Sequence, residues 1–149
     1  MRRPGRRATV PGPSWVVRAP ATTASGAYAA GMSTPLGPYT PVVRAGDFVF
    51  VSGQGGLRDG TLVEGGVGPE TEQVMKNLST LLESVGASMR DVVKTTCFLT
   101  DMENYAKFNA AYSAGFPDDH RPARSCIAAS ALPAGFAVEV EAVAYLPAE

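Results

Sequence analysis

Histidine is nearly missing from this 149-residue chain, His120 being the single one, and it lies in the polar loop 118–122. A Ser/Cys–His catalytic triad therefore has no other base to use, and hydrolase chemistry of that kind is excluded. Cysteine is scarce too. Cys97 and Cys126 sit in stretches that read as buried strands, with no second Cys or His at ligand spacing, so neither a disulfide framework nor a structural zinc is expected. No apolar run approaches the roughly 20 residues that cross a bilayer. Acidic residues are absent before Asp47, whereas Arg2, Arg3, Arg6, Arg7 and Arg18 crowd the beginning. The remainder holds 8 of the 13 basic residues against 14 acidic ones, a balance that argues against a broad nucleic-acid surface, which needs clustered Lys and Arg.

What is present is an ordinary globular composition, 45% hydrophobic and 18% charged, in a length suited to one domain with a real core. Residues 1–31 are set apart. They are rich in Arg, Pro, Ala, Gly, Ser and Thr, with Trp15, Val16 and Val17 as the only bulky apolar cluster, too little to fold around. The segment reads as a disordered extension, a start placed too early with Met32 as the alternative, or an organellar targeting segment. Pro11, Gly12, Pro13, Ser14 and Arg18 interrupt the continuous apolar stretch an export signal needs, so a cytoplasmic or organellar location is expected. The folded domain is expected over 32–149.

Within that domain, short apolar runs at 41–44 and 48–54 flank Ala45-Gly46-Asp47 and predict two antiparallel strands joined by a tight turn. A glycine-rich stretch follows, with one more short strand expected at 62–64. Val74, Leu78, Leu81, Leu82 and Val85 then share one helical face, Pro69 standing at its start and Gly86 at its end. Residues 92–100 are β-branched and aromatic, hence a strand, running into Asp101 as a helix N-cap. Tyr105, Phe108, Tyr112 and Phe116 form a second helical stripe, read as core. Strands at 124–130 and 136–145, linked by Leu132-Pro133-Ala134-Gly135, close the chain. This order predicts an α+β domain in which two helices cover one face of a mixed sheet. The other face needs a cover, and for so small a domain a second copy of the chain is the simplest one.

The last two strands carry the most chemistry. Alternation puts Phe136, Val138, Val140, Ala142 and Ala144 on one face and Glu139 and Glu141 on the other. Arg124 and Cys126 share a face of the preceding strand. If these strands form a hairpin about 132–135, a guanidinium, a thiol and a carboxylate converge on the face away from the helices. The same spacing equally describes a surface Arg–Glu pair worth some tenths of a kcal/mol. Cys126 reads as a small buried residue rather than a nucleophile, because no histidine or helix N-terminus is placed to lower its pKa. Gly53-Gln54-Gly55-Gly56 lacks the following Lys-Ser/Thr helix of a phosphate loop and reads as a turn after a strand.

Seven blocks in one order resemble the RidA/YjgF family across residues 33–147. They are Gly37-Pro38-Tyr39, Val51-Ser52-Gly53-Gln54, Asp91-Val92-Val93-Lys94-Thr95-Thr96, Phe98-Leu99-Thr100-Asp101, Phe108-Asn109-Ala110-Ala111-Tyr112, Arg121-Pro122-Ala123-Arg124-Ser125-Cys126 and Val138-Glu139-Val140-Glu141-Ala142. The resemblance implies a chorismate-mutase-like α+β domain forming a homotrimer, with its sites in clefts between subunits. It implies hydrolysis of reactive 2-imino or enamine acids, such as 2-aminoacrylate and 2-iminopropionate, to 2-keto acids and ammonia, without metal or cofactor. Carried over residue by residue, Arg124 is the anchor of the substrate carboxylate and Glu139 the acidic catalytic residue. Tyr39, Ser52, Gly53, Asn109 and Cys126 become cleft-lining, substrate-binding positions.

The chain departs from the family pattern at Pro41, where Gln is frequent, at Gly115, where a bulky residue is frequent, and at Ile127-Ala128-Ala129, which is smaller and less polar than usual. These departures are expected to reshape the cleft. Two other functions fit the resemblance: a non-catalytic trimeric module binding small keto acids, and a ribonuclease or translation inhibitor. The acidic body and the lack of a histidine pair count against the latter.

Overall fold

The computed structural model describes residues 34–147. The readings made for 1–31, including the alternative start at Met32, lie outside the described residues. Strands β1 (Val42–Ala45) and β2 (Phe48–Gln54) form the expected hairpin. Its two-residue loop places Gly46 at φ +61°, the left-handed region that such turns require of their first residue. A second, tiny hairpin follows, β3 (Leu57–Arg58) with β4 (Thr61–Leu62). It turns on Asp59 and Gly60, both at positive φ. Asp-Gly is a strong hairpin signal that the sequence reading passed over, expecting a single strand slightly further on.

Helix α1 (Val67–Glu83) buries Val74, Leu78, Leu81 and Leu82, the expected face. It starts two residues before Pro69. The turn that follows it closes at Gly86, whose φ of +80° lets the Ala87 N–H reach back to the Leu82 carbonyl at 2.9 Å. Strand β5 (Val92–Leu99) leads to Asp101, which accepts a hydrogen bond from the Glu103 N–H at 2.9 Å and caps the short 3₁₀ turn that opens helix α2 (Tyr105–Ala114). Strands β6 (Ala123–Ala128) and β7 (Val138–Tyr145) complete the chain.

The main sheet runs β1-β2-β7-β5-β6, with β5 and β6 parallel and the other neighbours antiparallel. It is the expected mixed sheet of an α+β domain. Both helices lie on one face, and the core between layers contains Val49 and Val51 from β2, Cys97 and Leu99 from β5, Val138 and Val140 from β7, and Phe108 and Tyr112 from α2.

The expected hairpin of the last two strands is not formed. Among the described residues β6 pairs only with β5, as an edge strand, and the 132–135 turn carries the chain past β5 so that β7 enters between β5 and β2. A turn signal marks where a chain reverses, not whether the returning strand takes the adjacent slot. The fully or nearly fully buried Val138, Val140, Ala142 and Ala144 suit an inner strand.

Candidate functional site

Strand pairing decides which side chains can meet, because directly paired residues point to the same face. Arg124 pairs with Thr95 and Cys126 with Cys97, and Thr95 and Cys97 are buried under the helices. Arg124 and Cys126 therefore sit on the helical face. Glu139 pairs with Phe98 and Glu141 with Thr96, on the opposite, open face. The convergence of guanidinium, thiol and carboxylate on the open face is thus corrected: within one chain the candidate residues form two separate groups.

The first group surrounds Arg124 at the sheet edge. Tyr105, Phe108, Asn109 and Tyr112 recur along α2 at i, i+3, i+4 and i+7, so all face β6. Arg124 Nη1 donates to Asn109 Oδ1 at 2.8 Å, and Nη2 donates to the Tyr105 hydroxyl at 2.9 Å. The guanidinium carbon lies 4.8 Å from the Tyr112 ring centroid, 5.5 Å from that of Phe108 and 5.6 Å from that of Tyr105. Tyr112 is itself pinned by a buried 2.6 Å hydrogen bond to Thr95 Oγ1. The cation is thus oriented by a hydrogen bond at each end and by aromatic faces, and among the described residues its hydrogen-bond partners are neutral oxygens that leave its charge uncompensated. That is the electrostatic description of a carboxylate receptor.

Cys126 stands two residues further along β6, half-buried. Burial pushes its thiol up, with the Arg124 charge pulling the other way. Cys97, fully buried beside it, is pushed up to about 12, chiefly by burial. Both sulfurs are therefore held as neutral thiols near neutrality, the opposite of an activated nucleophile.

The second group lines a cleft of about 320 Å³ on the open face, bordered by Leu36, Tyr39, Ser52, Gly53, Phe136 and Glu139 among others. A β-bulge between Val51 and Gln54 inserts one extra residue at Ser52-Gly53, opposite β7, and re-aims the strand there. The Ser52 hydroxyl donates to the Thr40 carbonyl at 2.7 Å, tying the Tyr39 segment to β2. Tyr39 folds its hydroxyl back to accept from the Leu36 N–H at 3.2 Å. Glu139 packs its carboxylate over Gly53 so closely that a Cβ there would collide with Glu139 Oε1 and stand 2.8 Å from Cδ. Burial raises the pKa of Glu139, and the neighbouring charge of Glu141 adds to the rise. A carboxyl that holds its proton more tightly than usual is suited to taking up and returning protons.

Sequence reasoning assigned the Tyr105, Phe108, Tyr112 stripe wholly to the core. Phe108 and Tyr112 are buried, but Tyr105 is 40% exposed and bonded to Arg124. The available signal was Asn109 in the same stripe: a polar residue among aromatics at helical spacing marks a face turned to a polar partner. Gly115 is one of the departures expected to reshape the cleft. It ends α2, where a Cβ would come within 2.7 Å of the Met75 side chain, so it sets the distance between the helices. Pro41 lines an adjoining pocket that shares Leu36, Tyr39, Gly53 and Phe136 with the open-face cleft. His120 is spent structurally, its Nε2 lying 2.8 Å from the Val92 carbonyl oxygen. Among the described residues no cluster of His, Cys, Asp or Glu is arranged to hold a metal ion. No described helix is long and apolar enough to cross a membrane.

Residues 31–146 match the family model described as Endoribonuclease L-PSP. The mouse protein named 2-iminobutanoate/2-iminopropanoate deaminase is 40% identical over 111 residues, covering 73% of this chain and 82% of its own. The crystal structure of yeast Mmf1 superposes with a TM-score of 0.74 at 34% identity, covering 78% of this chain and 93% of that one. The E. coli TdcF structure with bound serine gives a TM-score of 0.70 at 31% identity, covering 74% and 90%. Matched over most of its length in sequence and in fold, the chain belongs to the Endoribonuclease L-PSP (RidA/YjgF) family.

Proposed function

We propose that this protein is an imine deaminase that hydrolyses 2-imino acids, and the enamines in equilibrium with them, to 2-keto acids and ammonia. The observation that carries the reading is Arg124, oriented by hydrogen bonds to Asn109 and Tyr105 and by the rings of Tyr105, Phe108 and Tyr112, with no ion-pair partner among the described residues. A 2-imino acid offers it a carboxylate. The relationship to the mouse 2-iminobutanoate/2-iminopropanoate deaminase supports the same substrate class.

Arg124 and Glu139 lie on opposite faces of one sheet, so the complete site needs two copies. Arg124 stands at the β6 edge, and Glu139 in the open-face cleft, where a neighbouring copy brings its own edge. The open face also exposes Phe48, Phe50 and Tyr145, each about half accessible, with the Phe48 ring beside each of the other two, an apolar patch that association would cover. A closed homotrimer satisfies this arrangement with three equivalent sites. In each, Arg124 and the adjoining Cys126 segment of one copy hold the substrate carboxylate, while Tyr39, Ser52, Gly53 and Glu139 of the next surround the imine.

Glu139 orients a water and accepts its proton as the oxygen bonds to the imine carbon. Glu139 returns that proton to the nitrogen, and the tetrahedral adduct collapses as its hydroxyl proton passes to the amine and the C–N bond breaks, releasing ammonia and leaving a C=O bond. Each imine consumes one water. Because such imines also hydrolyse unaided, positioning plus one general base supplies a useful acceleration, each contributing on the order of 10²-fold or more. The arginine-rich residues 1–31 make an organellar location a companion proposal to a cytoplasmic one; the related yeast Mmf1 is named mitochondrial.

The test is ammonia release from imines generated in place by an amino-acid oxidase, with light scattering on the same samples. Acceleration by wild-type trimer, reduced about 10²-fold or more in Arg124→Ala, is expected. A fully active monomer would refute the shared site. Keto-acid binding without acceleration would favour a second reading, a ligand-binding module, which the serine-bound relative also supports.

A further inference from the structure

Arg124 does not meet its ligand alone. Its Nη2 donates to the Tyr105 hydroxyl at 2.9 Å, so the phenol oxygen acts as acceptor in that bond and its own proton is left to donate elsewhere. Tyr105 is 40% exposed, and its ring lies 5.6 Å from the guanidinium carbon, on the same face of α2 as Asn109, which holds Nη1. With one N–H given to Asn109 and one to Tyr105, the guanidinium retains three of its five for a ligand. The phenolic O–H adds a fourth donor beside them. A carboxylate has about four lone-pair sites on two oxygens, and this donor set matches it better than the arginine by itself.

We infer that Tyr105 is a substrate-binding residue, donating its hydroxyl proton to the ligand carboxylate while it holds the Arg124 fork in place. The inference rests on the reading of Arg124 as the carboxylate anchor. It does not require turnover. Tyr112, whose ring is nearest the guanidinium, cannot take this part, because its hydroxyl is engaged with Thr95 in the core.

Tyr105→Phe keeps the ring and its contact with the cation and removes only the hydroxyl. Binding of pyruvate and of 2-oxobutanoate, the keto acids such a site would release, is measured by titration calorimetry on the full chain. The expected result is a Kd about tenfold weaker than wild type, the size of one hydrogen bond to a charged group. In the imine assay KM rises by a similar factor and kcat stays within about twofold, since the contact is made equally with substrate and transition state. In ligand-free protein, nitrogen-detected NMR shows slowed rotation about the Arg124 Nη2 bond in wild type and faster rotation in Tyr105→Phe.

Equal Kd and KM in Tyr105→Phe and wild type would overturn the inference, as would a loss confined to kcat. Keto-acid binding that weakens in Tyr105→Phe while wild type releases no ammonia would sink the deaminase reading and leave Tyr105 standing. Binding unaffected by Arg124→Ala would remove the anchor, and the role of Tyr105 with it.

Discussion

Replacing Gly53 by alanine separates the geometry of the open-face cleft from its stability. The new Cβ would overlap Glu139 Oε1 and stand 2.8 Å from Cδ and 3.0 Å from Cγ. All three atoms belong to a flexible side chain, so the carboxylate swings aside rather than the strand moving. The stability cost is about 1 kcal/mol for the lost packing and an altered rotamer. It is partly offset, because alanine reduces the freedom of the unfolded chain by about 0.4–1 kcal/mol. The melting temperature is thus expected to change by no more than a few degrees. Activity is another matter. A shift of about 1 Å in a catalytic group costs on the order of 10²-fold in rate. Gly53→Ala is therefore expected to lose about that factor in kcat for imine hydrolysis while remaining folded and associated. Glu139→Gln and the double variant complete a cycle: if Gly53 acts through Glu139, the second substitution adds little to the first. Full activity in Gly53→Ala, or losses that simply multiply in the double variant, would refute the reasoning.

Arg124→Ala is expected to reduce kcat/KM by about 10²-fold or more, the loss of a paired charge-assisted contact, with the melting temperature nearly unchanged; Arg124→Lys restores little, because an ammonium lacks the fork. Glu139 has a raised pKa in the folded chain, so it favours folding fully below its unfolded pKa, and that contribution is lost as pH rises through the folded value. Glu139→Gln is accordingly expected to melt higher than wild type near neutral pH, with the gap closing as pH falls through the ordinary glutamate range, while wild-type activity declines over the same acid limb. Cys126→Ser is expected to keep activity within a few fold, and alkylation of the Cys126 thiol by iodoacetamide near pH 7 to be slow, since burial holds it protonated; rapid labelling with complete inactivation would point to a covalent thiol route instead.

Local sequence determined most of the elements. The hydrophobic face of α1, the Gly46 turn, the Asp101 cap and the alternation in β7 all depend on residues a few positions apart, whose preferences act before any tertiary contact exists. The motif blocks likewise placed Arg124, Asn109, Glu139, Gly53 and Tyr39 among the candidates. What the sequence did not contain was strand order. Whether β7 lies beside β6 or beyond β5 depends on which arrangement buries Val138, Val140, Ala142 and Ala144 best, a sum over contacts distant in sequence. That single choice moved Arg124 and Cys126 to the helical face and left Glu139 on the open one, turning one imagined cluster into two groups. It also brought Tyr105 to Arg124 across 19 positions of sequence. Periodicity can say that a tyrosine shares a face with its neighbours on a helix; only the packed strand opposite decides whether that face meets apolar core or a cation.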